Sequence, residues 1–178
     1  MHYKNGHLDF LADDEAEATA ITKKLLSYFQ GAKKDWEEKD QTPLRTMIPE
    51  DRRKGFPVRD VLNTISDENS FLEMKKIFGR SVITGFMRIE GRPFAVLAND
   101  CQQLGGAIDS SAADKAANFI EICSAHGLPM LSFVDTPGFM VGPDSEKEGA
   151  FRRMGELFKH GARTVSYTHL RAHETLRY

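Results

Sequence analysis

Ser81-Val82-Ile83-Thr84-Gly85-Phe86-Met87-Arg88-Ile89-Glu90-Gly91-Arg92-Pro93-Phe94-Ala95-Val96-Leu97-Ala98 reads as a β-hairpin. Two runs rich in β-branched, aromatic and other apolar residues flank Glu90-Gly91, where glycine supplies the positive φ that a tight turn needs. Both runs are largely apolar instead of alternating, so the sheet is expected to be covered on both faces.

Downstream, Asp109 or Ser111 caps a helix whose positions Ala112, Ala116, Phe119, Ile120 and Cys123 form one stripe, and Ser111 to Asp114 fits the spacing of a capping box. His126-Gly127-Leu128-Pro129 stops that helix. Met130-Leu131-Ser132-Phe133-Val134 is then a short buried strand, and a strand regained through a helix implies a parallel crossover. Ser145 to Glu148 repeats the capping-box spacing and predicts a helix with Phe151, Met154, Leu157 and Phe158 inward, ending at Gly161.

Upstream, Pro57 opens a short helix carrying Val58, Val61, Leu62 and Ile65 on one face, and a second short helix is predicted over 70–78, ending at Gly79. Around these, Asp67, Glu68 and Glu73 read as carboxylates at helix starts, where the helix dipole favours them. The order β-β-α-β-α is that of an α/β chain. Farther back, Ile21, Leu25, Tyr28 and Phe29 mark an amphipathic helix over 13–30 that closes at Gly31. Residues 32–57 are charged and carry Pro43, Pro49, Gly55 and Pro57, the composition of a connector; a domain boundary is expected there, with Trp36 as an anchor.

The 178 residues are 40% hydrophobic and 28% charged, with 24 Lys+Arg against 26 Asp+Glu. This mixture gives no basic face for nucleic acid, and no apolar run approaches the ~20 residues of a membrane span. The start Met1-His2-Tyr3-Lys4-Asn5 lacks the apolar core of a signal peptide, so a soluble, cytoplasmic chain is expected. Cys101 and Cys123 have no CxxC spacing and read as free thiols inside the fold.

Val134-Asp135-Thr136-Pro137-Gly138-Phe139 matches the Asp-x-x-Gly box of GTPases, but no Gly-x-x-x-x-Gly-Lys-Ser/Thr loop accompanies it, so a nucleotide site of that class is not expected. It is either a tight turn or a ligand-facing loop beyond a strand. His169 and His173 have the i, i+4 spacing of zinc ligands without the Glu of His-Glu-x-x-His or a third ligand, and no metal site is expected. No Gly-x-Ser-x-Gly elbow occurs, and no side chain is singled out as catalytic. Two glycine-bearing loops stand out: Leu104-Gly105-Gly106-Ala107-Ile108-Asp109 and Gly138-Phe139-Met140-Val141-Gly142-Pro143. Each follows a strand and precedes a helix. Each can aim backbone N–H groups at a carbonyl or oxyanion, or simply make a tight connection.

Three ordered segments together resemble the carboxyltransferase (β) subunit of biotin-dependent acyl-CoA carboxylases, of the propionyl-CoA and methylcrotonyl-CoA carboxylase type. They are Ile83 to Pro93, Gly106-Ala107-Ile108-Asp109-Ser110-Ser111-Ala112-Ala113-Asp114-Lys115-Ala116-Ala117, and Leu131 to Gly142. The likeness runs from about Leu8 to Arg163. It implies an α/β, crotonase-like fold of β-β-α units, present in part. Residues 1–31 would end the N-terminal carboxyltransferase domain, 32–57 would connect, and 58–164 would begin the C-terminal domain. Residues 165–178, including Ser166-Tyr167-Thr168-His169-Leu170-Arg171-Ala172-His173, instead resemble a translated sequencing-adapter tail and are left out of the expected fold.

The resemblance further implies transfer of a carboxyl group from carboxybiotin to the α-carbon of an acyl-CoA, with backbone N–H groups stabilising the ureido and thioester oxygens. The partners implied are biotin carboxylase and the biotin carboxyl carrier protein, in a homo-oligomer. A decarboxylase or transcarboxylase of the same fold, or a non-catalytic assembly module, are the alternatives. Gly138, Phe139 and Gly142 resemble a biotin-proximal loop, and Gly105 and Gly106 the turn opening the first helix of the C-terminal domain. The family's paired oxyanion loops are expected to lie outside these residues, leaving this chain inactive alone. Cys101-Gln102-Gln103 departs from the proline-bearing loop usual at that point.

Overall fold

In the computed structural model, which describes residues 5–51, 54–163 and 167–171, the chain builds one five-stranded mixed sheet. Asp14 accepts a hydrogen bond from the Glu17 amide at 2.7 Å and starts α1 (Glu15–Ser27), which runs into a 3₁₀ turn (Tyr28–Gln30). Then come α2 (Leu44–Met47), α3 (Val58–Ile65), β1 (Leu72–Met74), β2 (Val82–Ile89) and β3 (Arg92–Asn99). They are followed by α4 (Ser110–Ala125), β4 (Met130–Val134), α5 (Pro143–Lys147), α6 (Ala150–Arg163) and β5 (Tyr167–Arg171). The strands lie in the order β1-β2-β3-β4-β5; β1 to β3 are antiparallel, while β4 and β5 continue parallel to β3.

The hairpin has the expected register, with Ile89 opposite Arg92 and Phe86 opposite Ala95. Glu90 and Gly91 both adopt positive φ, 51° and 74°, matching the right-handed strand twist. Alternation then sorts the two faces. Phe86, Ala95 and Met130 meet Phe119, Ile120 and Cys123 of α4 together with Tyr28. Ile83, Met87, Val96 and Ala98 meet Val58, Val61 and Leu62 of α3. Both faces are therefore covered, and each fully buried Ile, Val or Met contributes roughly 1.5–3 kcal/mol. The expected stripe of α4 is buried throughout, with its start set by Asp109, which accepts the Ala112 amide at 2.7 Å.

Three expectations are corrected. The segment predicted as a helix over 70–78 is the edge strand β1, paired Leu72 to Phe86 and Met74 to Thr84. Its apolar run is too short for periodicity to decide, and the free edge of β2 decides instead. With no helix there, the carboxylates serve otherwise. Asp67 accepts the Glu90 and Gly91 amides at 2.9 and 2.8 Å, fastening the hairpin turn, Glu73 pairs with Arg59, and Glu68 lies 3.9 Å from Lys39. The last predicted helix is broken at Gly149 (φ 74°) into α5 and α6, and α6 runs past Gly161 to Arg163. Leu157 packs inward, but Phe151 and Phe158 are 72% and 65% exposed, because the face meeting α4 lies about a quarter turn from them.

The connector is held to the hairpin: the Lys33 amide donates to the Gly91 carbonyl at 3.0 Å, and Trp36 lies beside Gly91. Burial pushes the Cys123 thiol up to about 12, and Cys101 is half-buried against Phe56. No helix among the described residues is long and apolar enough to cross a membrane. β5 lies in the stretch left out of the expected fold; His169 is in this strand, not on a helix, and His173 lies outside the described residues.

Lys115 of α4 is 1% exposed and donates to the Val82 carbonyl at 2.7 Å. Burial pulls its amine down from 10.5 to about 8. A base lowered by folding leaves the unfolded chain holding more protons between those values, so stability rises as pH goes from about 8 to 10.5, and the penalty is full below 8. Urea midpoints should therefore rise between pH 7.5 and 10 by the equivalent of a few kcal/mol at most, and Lys115→Met should lack that rise. The same pH slope in both proteins would disprove it.

Candidate active site

β3 ends at Asn99 and β4 at Val134, and because these neighbours are parallel, the loops that follow them open at one edge of the sheet. That edge is where ligands of α/β sheets lie. In the first loop Leu104, Gly105 and Gly106 take φ of 51°, 60° and 81°. In the second, the Gly138 amide donates to the Thr136 hydroxyl at 3.0 Å, and Gly138 and Gly142 take φ of 119° and 129°.

The structure brings the two loops into contact. The Ile108 amide donates to the Gly138 carbonyl at 3.0 Å and the Met140 amide to the Ile108 carbonyl at 2.9 Å, a parallel bridge around Phe139. Gly106 passes directly over Asp135, where a Cβ would fall well inside contact distance of the Asp135 carbonyl oxygen. Beneath them, the Asn99 side chain donates to the Gly106 carbonyl at 3.4 Å and accepts from the Asp135 amide at 3.3 Å.

This contact divides the glycines by role. The amides of Gly106 and Gly138 are engaged inside the loops, the former on the Gln103 carbonyl at 2.9 Å. Among the described residues no acceptor lies on the amides of Gly105, Phe139 and Gly142, so these three are among the donors left available. A Cβ at Gly105, Gly138 or Gly142 would meet nothing within 4 Å, which leaves that side of the loops open. The Phe139 ring packs on Phe158 at 5.4 Å and ties the second loop to α6. α5, which Gly142 opens, has only five residues, so donation here comes from loop amides and not from a long helix.

Beside the loops lies an apolar cavity of about 300 Å³, walled by α2, α3 and β4, with Asn99 and Asp135 at its polar end. Low-dielectric walls raise the effect of nearby donors. A buried ion cluster braces the same region. Arg59 of α3 grips Glu73 with two hydrogen bonds, 2.9 and 2.7 Å, and reaches Asp100 at 2.5 Å. Asp100 in turn accepts the Gln102 amide and donates its own amide to the Ser81 carbonyl at 2.8 Å. Sequence reasoning missed Arg59, Asn99 and Asp100; the one available signal was a polar pair placed right after an apolar strand.

Residues 1–167 match the family model described as the carboxyl transferase domain. The chain belongs to the carboxyl transferase domain family. Among curated members of the family, it is 36% identical over 169 residues to the uncharacterized carboxylase YngE of Bacillus subtilis, covering 89% of this chain and 31% of that protein. It is 34% identical to the methylmalonyl-CoA carboxyltransferase 12S subunit of Propionibacterium freudenreichii subsp. shermanii, covering 90% of this chain and 31% of that subunit. Its fold superimposes on a single-chain, multi-domain long-chain acyl-CoA carboxylase with a TM-score of 0.92 at 40% identity, over 96% of this chain and 18% of that one. For the transcarboxylase 12S hexamer the TM-score is 0.85 at 30% identity, over 96% and 36%. The chain thus spans about a third of the curated relatives' length. Its fold class is the crotonase-like α/β fold of these carboxyltransferases.

Proposed function

We propose that this chain is part of a carboxyltransferase subunit that moves a carboxyl group from carboxybiotin on a carrier protein to the α-carbon of an acyl-CoA. In this reading residues 1–31 end the N-terminal domain, 32–57 connect, 58–164 begin the C-terminal domain, and 165–178 are not native. Biotin carboxylase and the carrier protein are the partners, and the complete subunit works as a homo-oligomer; the 12S relative is described as a hexamer. The observation that carries the reading is the pairing of the two glycine loops at the carboxyl ends of β3 and β4, with loop amides that no acceptor among the described residues engages.

Those donors fit a ureido carbonyl. They are neutral, and the loop that carries Phe139 and Gly142 starts at Asp135, on the rim of an apolar cavity. Phe139 and Gly142 would face the ring, with Gly105 on the opposite loop and Gly106 and Gly138 shaping the gap. Biotin, when bound, supplies the labile carboxyl group. The chain's own contribution is to orient the acceptor and donate to oxygens on which charge develops, each well-placed amide contributing roughly 3 kcal/mol. Similarity to a protein named transcarboxylase supports a second reading, in which the same loops exchange the carboxyl group between two acyl-CoA molecules.

The test uses the complete reading frame containing these residues, assembled with biotinylated carrier and biotin carboxylase. Radiolabelled bicarbonate should appear, with ATP, as acid-stable label on an acyl-CoA from the propionyl to the long-chain range, and avidin should block it. Labelled methylmalonyl-CoA passing its carboxyl group on without ATP would favour the second reading. Absence of label under every acyl-CoA would sink both. The 178-residue chain alone is expected to show no turnover.

A further inference from the structure

We propose that Asn99 is a positioning residue that holds the two glycine loops at their working separation; the inference rests on the carboxyltransferase reading above. Among the described residues its side chain is the one amide placed across the gap. Nδ2 donates to Gly106 in the loop after β3, and Oδ1 accepts from Asp135 in the loop after β4. Asn99 is 8% exposed, so water competes weakly for either bond. Among side chains of this size, Asn offers one donor and one acceptor on a flat group without a change of protonation, whereas a carboxyl does so only when protonated. Its backbone is paired too, opposite Val82 of β2, so the amide projects from a rigid strand end.

The consequence falls on the available donors. Gly105 adjoins Gly106, and Phe139 and Gly142 continue the loop that starts at Asp135, so a change in the Asn99 bridge re-aims all three. Donors misplaced by about 1 Å can cost on the order of a hundredfold in rate while leaving substrate binding nearly intact.

Asn99→Asp gives a readout that general destabilisation would not. An ionised carboxylate still accepts from the Asp135 amide but faces the Gly106 carbonyl with no proton to donate. A protonated one restores both bonds. The charged groups around this position are Asp100 next to it, Asp135 at the end of β4, Arg59 and Glu73 bound to Asp100, and Lys115 beneath Val82. Asp100, Asp135 and burial favour the protonated form, and the Arg59 and Lys115 cations oppose it.

In the complete subunit with its carrier, N99D should lower kcat at least tenfold at pH 8 with KM for acyl-CoA within about twofold, and should regain activity relative to wild type as pH falls toward 6. Asn99→Ala should lose kcat at every pH. An N99D activity equal to wild type at pH 8, or a loss that does not change with pH in a folded protein, would overturn the proposal. If N99D does not fold, N99A decides: kcat unchanged refutes positioning, and kcat reduced with KM intact supports it. Hydrogen exchange at residues 104–108 and 135–142 keeps the two ideas apart. These amides should exchange faster in N99A than in wild type even if the wild-type subunit proves to be no carboxyltransferase, and equal exchange would refute the bridge.

Discussion

Replacing Gly106 with valine is expected to lower stability by about 2–6 kcal/mol and to abolish turnover in the complete subunit. Two costs add. The backbone sits at φ 81°, which a β-branched residue occupies only at a penalty of about 1–3 kcal/mol, and the added carbons collide with the Asp135 carbonyl, a backbone atom unable to step aside cheaply. Gly105→Val is the control. It shares the left-handed conformation (φ 60°), but a Cβ there meets nothing, so only the conformational part is lost. Denaturant midpoints for the two variants measure the difference. Equal losses would show that close approach of the loops does not matter.

Arg59→Met should cost about 3–5 kcal/mol at neutral pH, because it leaves two carboxylates inside without their cation. The Glu73 and Asp100 side chains are 8% and 2% exposed, against 30% for Arg59 itself. Arg59→Lys should recover only part of the loss, since an ammonium cannot grip Glu73 with two parallel bonds while also reaching Asp100. The deficit of R59M should shrink in acid, where the orphaned carboxylates can protonate. A midpoint within experimental error of wild type at pH 7 would mean that these charges are solvated by some other route. Since Asp100 directly follows Asn99, R59M is also expected to disturb the loop bridge, which ties the two predictions to one structural unit.

Much of this fold was legible in the chain. The hairpin, α3, α4 and β4 were readable because each carries a local signal that the surroundings reinforce: a glycine turn, a proline start, a capping aspartate, an apolar run with a helix stop. β1 was not, because Phe71-Leu72-Glu73-Met74 is compatible with either period and its pairing partners lie ten or more residues away. α6 was misread for a related reason. Its apolar positions form a band wider than one contact face, and which half meets α4 depends on where the preceding loop delivers the helix.

The candidate site divides the same way. Glycine content marked both loops, and residue order carried the likeness to carboxyltransferases, because backbone conformation and local capping are encoded within a few residues. Which amides remain open, and that Asn99 spans the gap, followed only once β3 and β4 lay side by side. A hydrogen bond between residues 99 and 135 is a matter of distance in space, and nothing in the spacing along the chain states it.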